Sequence, residues 1–439
     1  MRNIITASAL GLVMFAPGLA AAATTDQDRA DIEALKQQVA VLPALLARIE
    51  QLEKANAALQ GQAPAAAAAL ETRVAAVEES NDKQSDQLAQ GMASEWARNI
   101  KWKGDFRYRN EQFNIEGVPS DRVRDRIRAR FGLEARINPN VLVGFEIASG
   151  DVLDPRSTNS TLDDNNLRKT VGLSLAYVDW RPRDGMLFTA GKQKQPWIKA
   201  GNSFLFDGDV NPEGMSFQYG AKTGPFAKAW GFWLNEDSSG ADGNVLGAQL
   251  GYVFTGGLTL AAGYWDYGAI QNQPIVPFTG APAGNTVYTA DASCTTPSPT
   301  GTTRCYTFDY NIAAADVQWT GMVAGKPILL FGTYMENMDP STLNSAYQLG
   351  FMFGKAADPH TWEFGALYEQ AERDSQFGAF IDSDFADGLT QGRGYVVQGT
   401  WAPVKNMTMK GTYFINDRNY DTPSEVEYKR LQLDLNYKF

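Results

Sequence analysis

The feature that most restricts how this chain can fold is a side-chain alternation of period two, starting near Trp96 and running to the last residue. In its first segment Trp102, Phe106 and Tyr108 alternate with Lys101, Lys103, Asp105, Arg107, Arg109 and Glu111. In the next, Ile127, Ala129, Phe131, Leu133, Ala135 and Ile137 alternate with Arg124, Arg126, Arg128, Arg130, Glu134 and Arg136. Successive side chains of a strand point to opposite faces, so each segment presents one apolar and one charged face. A soluble sandwich gives the same local pattern. Its repetition through the whole region, with short and long connections taking turns, predicts an all-β membrane protein, an antiparallel transmembrane β-barrel over residues 96–439. Beyond the N-terminal segment no run is apolar and long enough for a spanning helix, so strands have to make any crossing. Mean hydropathy is low, −0.31, which suits either class.

Sixteen strands are expected, centred near Phe106, Phe131, Phe145, Leu175, Thr189, Phe217, Trp230, Gln249, Leu260, Ala315, Leu330, Leu349, Phe364, Val397, Lys410 and Leu433. Fourteen or eighteen also fit the pattern. Connections after even-numbered strands are short, as at Asn138-Pro139-Asn140 and around Gly325-Lys326-Pro327; those after odd-numbered strands are longer, the longest from about Gly268 to Thr307. Bacterial outer-membrane barrels have this layout, with the short turns in the periplasm. The last strand is the clearest: Leu431, Leu433, Leu435, Tyr437 and Phe439 point one way, Arg430, Gln432, Asp434, Asn436 and Lys438 the other. Tyr437 and Phe439 then sit at an interfacial aromatic girdle, at the end through which the barrel-assembly machinery is expected to act.

Residues 1–23 read as an export signal, with Arg2, an apolar core from Ile4 to Leu19 and the alanines before Thr24. Between 24 and 95 a periplasmic α-helical coiled coil is expected. Ile32, Leu35, Val39, Leu42, Leu46 and Ile49 recur in steps of three and four, and the phase then slips to Leu52, Asn56 and Leu59. Pro43 breaks or kinks this helix. Residues 61–69, with Pro64 and an alanine run, form a joint.

Formal net charge is −11, shared between the N-terminal stretch and the barrel, and the lack of a basic surface argues against nucleic acid. Cys294 and Cys305 fit an oxidising compartment and are expected to form a structural disulfide in the longest outer loop. His360, the single histidine, lies in a turn after Asp358 and Pro359 without Cys or His nearby, so no metal site or cofactor is expected. A serine hydrolase using histidine would have to recruit that one residue, which makes an outer-membrane barrel enzyme the weakest reading. A structural tether from outer membrane to cell wall through the coiled coil is a further alternative.

The segments Trp102-Lys103-Gly104-Asp105-Phe106-Arg107-Tyr108-Arg109, Asp207-Gly208-Asp209-Val210-Asn211-Pro212-Glu213-Gly214 and Asp382-Ser383-Asp384-Phe385-Ala386-Asp387-Gly388, with the terminal Phe439, resemble the putative-porin family of Gram-negative bacteria. Its members tend to carry a coiled coil before the barrel; Pro43 departs from a continuous stalk. The resemblance implies a homotrimeric diffusion porin of the outer membrane, in contact with lipid and lipopolysaccharide, passing small hydrophilic solutes or ions. With apolar faces toward lipid, Lys101, Lys103, Arg107, Arg109, Arg124, Arg126, Arg128, Arg130 and Arg136 form a basic wall on the lumen, since such charges at the lipid midplane cost about 2–4 kcal/mol each. That wall either is braced by ion pairs to Asp105, Glu111 and Glu134 or attracts anions. The third long loop, Gln195 to Pro212, is by the same resemblance the constriction loop, carrying Lys199, Asp207 and Asp209 with Glu213 beyond; solvated surface carboxylates are the alternative.

Overall fold

The chain divides into two compact units, 1–92 and 93–439. The computed structural model describes residues 99–439 apart from 202, 203, 237, 239–241, 269 and 276–281, together with a helical run at 43–55 and isolated helical positions beside it. The expected signal segment, the joint at 61–69 and most of the coiled-coil seam lie outside the described residues. Within the helical run Leu46, Ile49 and Leu52 are exposed. One helix is what the described residues contain of the expected coiled coil.

The second unit is a closed, sixteen-stranded antiparallel barrel. Its strands are β1 (Ile100–Ile115), β2 (Arg122–Asn138), β3 (Val141–Ser149), β4 (Val171–Trp180), β5 (Met186–Lys192), β6 (Glu213–Gly220), β7 (Gly224–Asn235), β8 (Gly243–Val253), β9 (Leu258–Gly268), β10 (Tyr310–Val323), β11 (Lys326–Asn337), β12 (Ser345–Gly354), β13 (Trp362–Ala371), β14 (Gly392–Val404), β15 (Met407–Arg418) and β16 (Val426–Lys438). Each expected strand centre falls inside its strand. Every strand pairs with its sequence neighbours, and β16 returns to β1 from Asp105 opposite Lys438 to Ile115 opposite Tyr428. Closure removes the sheet edges that a membrane does not tolerate. Phe439 completes the seam: its N–H donates to the Gly104 carbonyl at 3.1 Å and its carbonyl accepts from Gly104 at 2.9 Å. A Cβ on Gly104 would lie 2.5 Å from the Phe439 ring, so only glycine leaves that ring its place against the wall.

Outward side chains are apolar and exposed all round, among them Trp102, Phe131, Phe145, Trp180, Leu250, Phe364, Tyr395 and Leu433. This is the lipid belt that the alternation predicts. Connections follow the expected short-long rhythm, with one exception. The turn at 355–361 is as long as several outer loops and holds His360 at φ 65°, its N–H donating to the Ala402 carbonyl at 2.7 Å.

The long loops after odd strands are L1 (116–121), L2 (150–170), L3 (193–212), L4 (236–242), L5 (269–309), L6 (338–344), L7 (372–391) and L8 (419–425). L3, L5 and L7 pack inside the barrel against one side of it. There the wall is apolar on its inner face too: Trp230 and Phe232 of β7, Trp265 and Tyr267 of β9, and Tyr310 and Ile312 of β10 are buried. Trp197 of L3 lies 4.9 Å from Trp230 and 5.6 Å from Trp265. Phe206 of L3 stacks on Phe380 of L7 at 5.1 Å, and Phe377 of L7 meets Tyr306 of L5 at 5.5 Å. Aromatic burial of this kind is the main force holding the loops in. On the opposite side of the lumen, β1, β2 and β16 present mainly polar inner faces, while Phe385 of L7 packs on Val396 of β14 and Phe414 of β15.

Candidate functional site

β1, β2 and β16 bring the basic wall together by register. Arg107 stands opposite Arg128 and Arg109 opposite Arg126, with Asp105 opposite Arg130 and Glu111 opposite Arg124. Like charges directly across a ladder repel. Carboxylates placed between the rows offset this. Asp105 accepts from Arg128 at 2.8 Å and Arg130 at 2.7 Å; Asp434 takes a bidentate pair from Arg109 at 2.6 and 2.8 Å. Glu111, fully buried, pairs with Arg124 and Arg430. Lys103 pairs with Glu134 at 2.5 Å. Arg126 donates to the Asn159 carbonyl of L2 at 2.9 Å, while Lys101 and Arg136 are exposed near the short-turn end. The bracing pairs and an inward basic wall therefore coexist.

L3 crosses the lumen to meet this wall. The Gln249 side chain of β8 holds Ile198 through both its atoms, at 2.8 and 3.1 Å, and Gln348 of β12 donates to the Ala200 carbonyl at 3.1 Å. Gly201 turns the loop at φ 72°, where a Cβ would lie 2.2 Å from the Phe331 ring. The loop then presents Asp207 and Asp209. Asp209 accepts from the Thr158 hydroxyl and N–H of L2 at 2.8 and 3.1 Å and lies 3.4 Å from Arg130. Asp207 accepts from the N–H of Ser383 in L7 at 3.0 Å, and its own N–H donates to the Phe380 carbonyl at 2.7 Å.

L7 supplies a second pair of acids with the same spacing. Asp384 lies 3.0 Å from Arg109 and 2.8 Å from Arg430. Burial would raise its pKa, but these two guanidiniums overcome it and hold the carboxyl well below the usual range. Burial likewise opposes ionisation of Asp209, and Arg128, Arg130 and Thr158 override it. The remaining two acids shift the other way: burial and then Asp384 push Asp382 up to about 6, and burial with Asp382 and Asp209 raises Asp207.

Wall and loops enclose a polar cavity of about 210 Å³ lined by Arg107, Arg109, Arg128 and Lys410 on one side and Asp207, Asp209, Asp382 and Asp384 on the other. Of the residues singled out for the constriction, Asp207 and Asp209 lie here and two do not. Lys199 turns into a separate pocket with Trp197 and Phe204, where burial lowers its pKa to about 8. Glu213 is exposed and pairs with Lys192 at 2.7 Å. Cys294 and Cys305 are disulfide-bonded within L5. Sequence reasoning missed Asp382, Asp384, Lys410 and Arg430. The signal was present in the repeat Asp-x-Asp at 207–209 and 382–384.

A closed barrel with a lipid belt outside and a charged, loop-narrowed lumen defines a membrane channel. The chain matches the model of a family described as putative porin over residues 114–303 and 306–439, and it belongs to that family. It is an outer-membrane porin, a water-filled passage for small hydrophilic solutes or ions. Among solved structures it is similar to OprB of Pseudomonas putida, at 10% identity and a TM-score of 0.52, covering 80% of this chain and 97% of that one. OmpF of Salmonella typhi, solved with daunomycin, gives 12% identity and 0.48, covering 77% and 97%. A triple mutant of Rhodopseudomonas blastica porin gives 10% and 0.45, covering 77% and 100%. No curated protein matches.

Proposed function

We propose that the passage is a weakly anion-preferring diffusion pore whose constriction is the gap between the basic wall and the acids of L3 and L7. The observation that carries this is the placement of opposite charges on its two sides, with wall cations outnumbering the carboxylates that brace them. Such a transverse field aligns dipolar and zwitterionic solutes, and the excess cations raise the local anion concentration. Wall charges act within the Debye length of about 8 Å at physiological salt, whereas the acidic outer loops are farther away and better screened. Changing Arg126, Arg128 and Arg130 together to Ser tests the reading through reversal potentials in a salt gradient. The chloride-to-potassium permeability ratio should fall about twofold or more. An unmoved reversal potential would mean that these residues do not line the conducting path.

The pore works as a homotrimer, and a short section of wall supports this. β3 to β6 have 9, 10, 7 and 8 residues. At about 3.3 Å per residue and a tilt near 45°, β5 rises only about 16 Å, less than the apolar band of about 25 Å. Its surroundings still expose Val178, Trp180, Phe188 and Met215. A second copy covers that low, apolar face. The coiled coil expected over residues 24–95 would add to assembly from the periplasm, and a channel rather than an enzyme is the reading that the family supports.

A further inference from the structure

Of the four wall cations that line the cavity, Arg109 and Arg128 are hydrogen-bonded to carboxylates, and Arg107 and Lys410 are not. Arg107 lies 3.7 Å from Asp434, beyond hydrogen-bond reach, and its Nε has no partner. Lys410 stands opposite Asp434 in the β15–β16 ladder, yet makes no hydrogen bond or ion pair among the described residues. Asp434 is already committed to Arg109 through both oxygens. Asp434 and Asp384 thus serve Arg109 directly, Asp209 and Glu363 act from farther off, and neither Arg107 nor Lys410 has a carboxylate bonded to it.

Two neutral donors converge on the same cavity. Thr412, on the face of Lys410 and one step along β15, has no hydroxyl partner among the described residues. Gln398 of β14 stands opposite Thr412, and its amide donates only to the thioether of Met352 at 3.0 Å, a weak acceptor. Across the gap Asp209 and Asp384 are neutralised by arginines. Asp207 is shifted toward its protonated form by burial and by Asp382 and Asp209, and Asp382 by burial and Asp384. The loop side therefore repels an anion weakly.

We propose that Arg107 and Lys410, with Thr412 and Gln398, form a transit site for the carboxylate of a small organic acid inside the lumen. The planar guanidinium fork suits a carboxylate, the ammonium adds charge, and the neutral donors complete its lone pairs. Binding is weak, because a conducting site has to release what it takes up. The proposal rests on the lumen being the permeation path.

Full-length folded protein in planar bilayers tests it, with benzoate titrated against the chloride current. The wild type should show saturable block. The double variant Arg107→Gln with Lys410→Gln should raise the half-blocking concentration about tenfold, while Lys222→Gln, in the exposed turn between β6 and β7, leaves it unchanged. Should the double variant not fold, Thr412→Val with Gln398→Leu should still raise it about threefold. Saturable block that neither variant shifts would overturn the site, and equal block by inorganic phosphate would overturn its assignment to carboxylates. An inserted wild-type barrel that passes no current would overturn the porin reading itself.

Discussion

At the scale of single residues, Asp382 is a group of the cavity whose charge changes within the working range of the pore. Burial and the neighbouring Asp384 raise its pKa to about 6, so it is ionised above that pH and neutral below. Losing a negative charge opposite the basic wall strengthens anion preference. The chloride-to-potassium permeability ratio should therefore rise between pH 7 and pH 5, and Asp382→Asn should show the low-pH ratio throughout; reversal potentials against pH measure both. Linkage has the same sign for stability. A carboxyl whose folded pKa lies above its unfolded value of 3.8 destabilises the fold above about pH 6, and the cost is relieved as pH falls toward 3.8. Asp384, shifted down, behaves oppositely: its stabilisation is present above its unfolded pKa and is lost as pH falls through the folded one.

At the scale of elements, strands and loops differ in what makes them readable. Strand faces obey a local rule, so Arg107 and Phe106 declare opposite sides without knowledge of the partner strand. Loop placement depends on what the rest of the barrel offers, so nothing local separated Asp207, which enters the cavity, from Lys199, which turns away from it. One cue lay in β7, where Trp230 and Phe232 on the inner face accompany Trp233 on the outer one. A strand apolar on both faces inside a barrel needs a cover, and L3 and L7 provide it. If the Phe206–Phe380 stack holds both loops in place, Phe206→Ala with Phe380→Ala should widen the pore. Each buried Phe→Ala typically costs about 3–5 kcal/mol. Single-channel conductance should rise and become noisier, and an unchanged conductance would place the limiting aperture elsewhere.

At the scale of the whole molecule, the low wall of β3 to β6 predicts association. Native mass measurement should give a trimer for the full chain, and a chain starting at Glu95 should retain it in weakened form if the proposed coiled coil contributes without creating the barrel contact. Monomers in both would remove the trimer. The inner aromatic core has a consequence for how the barrel comes apart. Trp197, Phe206, Phe377 and Phe380 are shielded only inside a ring that β1 and β16 have closed, so their burial and the seam at Gly104 and Phe439 stand or fall together. Opening the seam floods that core, and filling the core draws the seam shut. Loss of structure should then be cooperative and slow, with a barrier set by residues that touch neither lipid nor the seam.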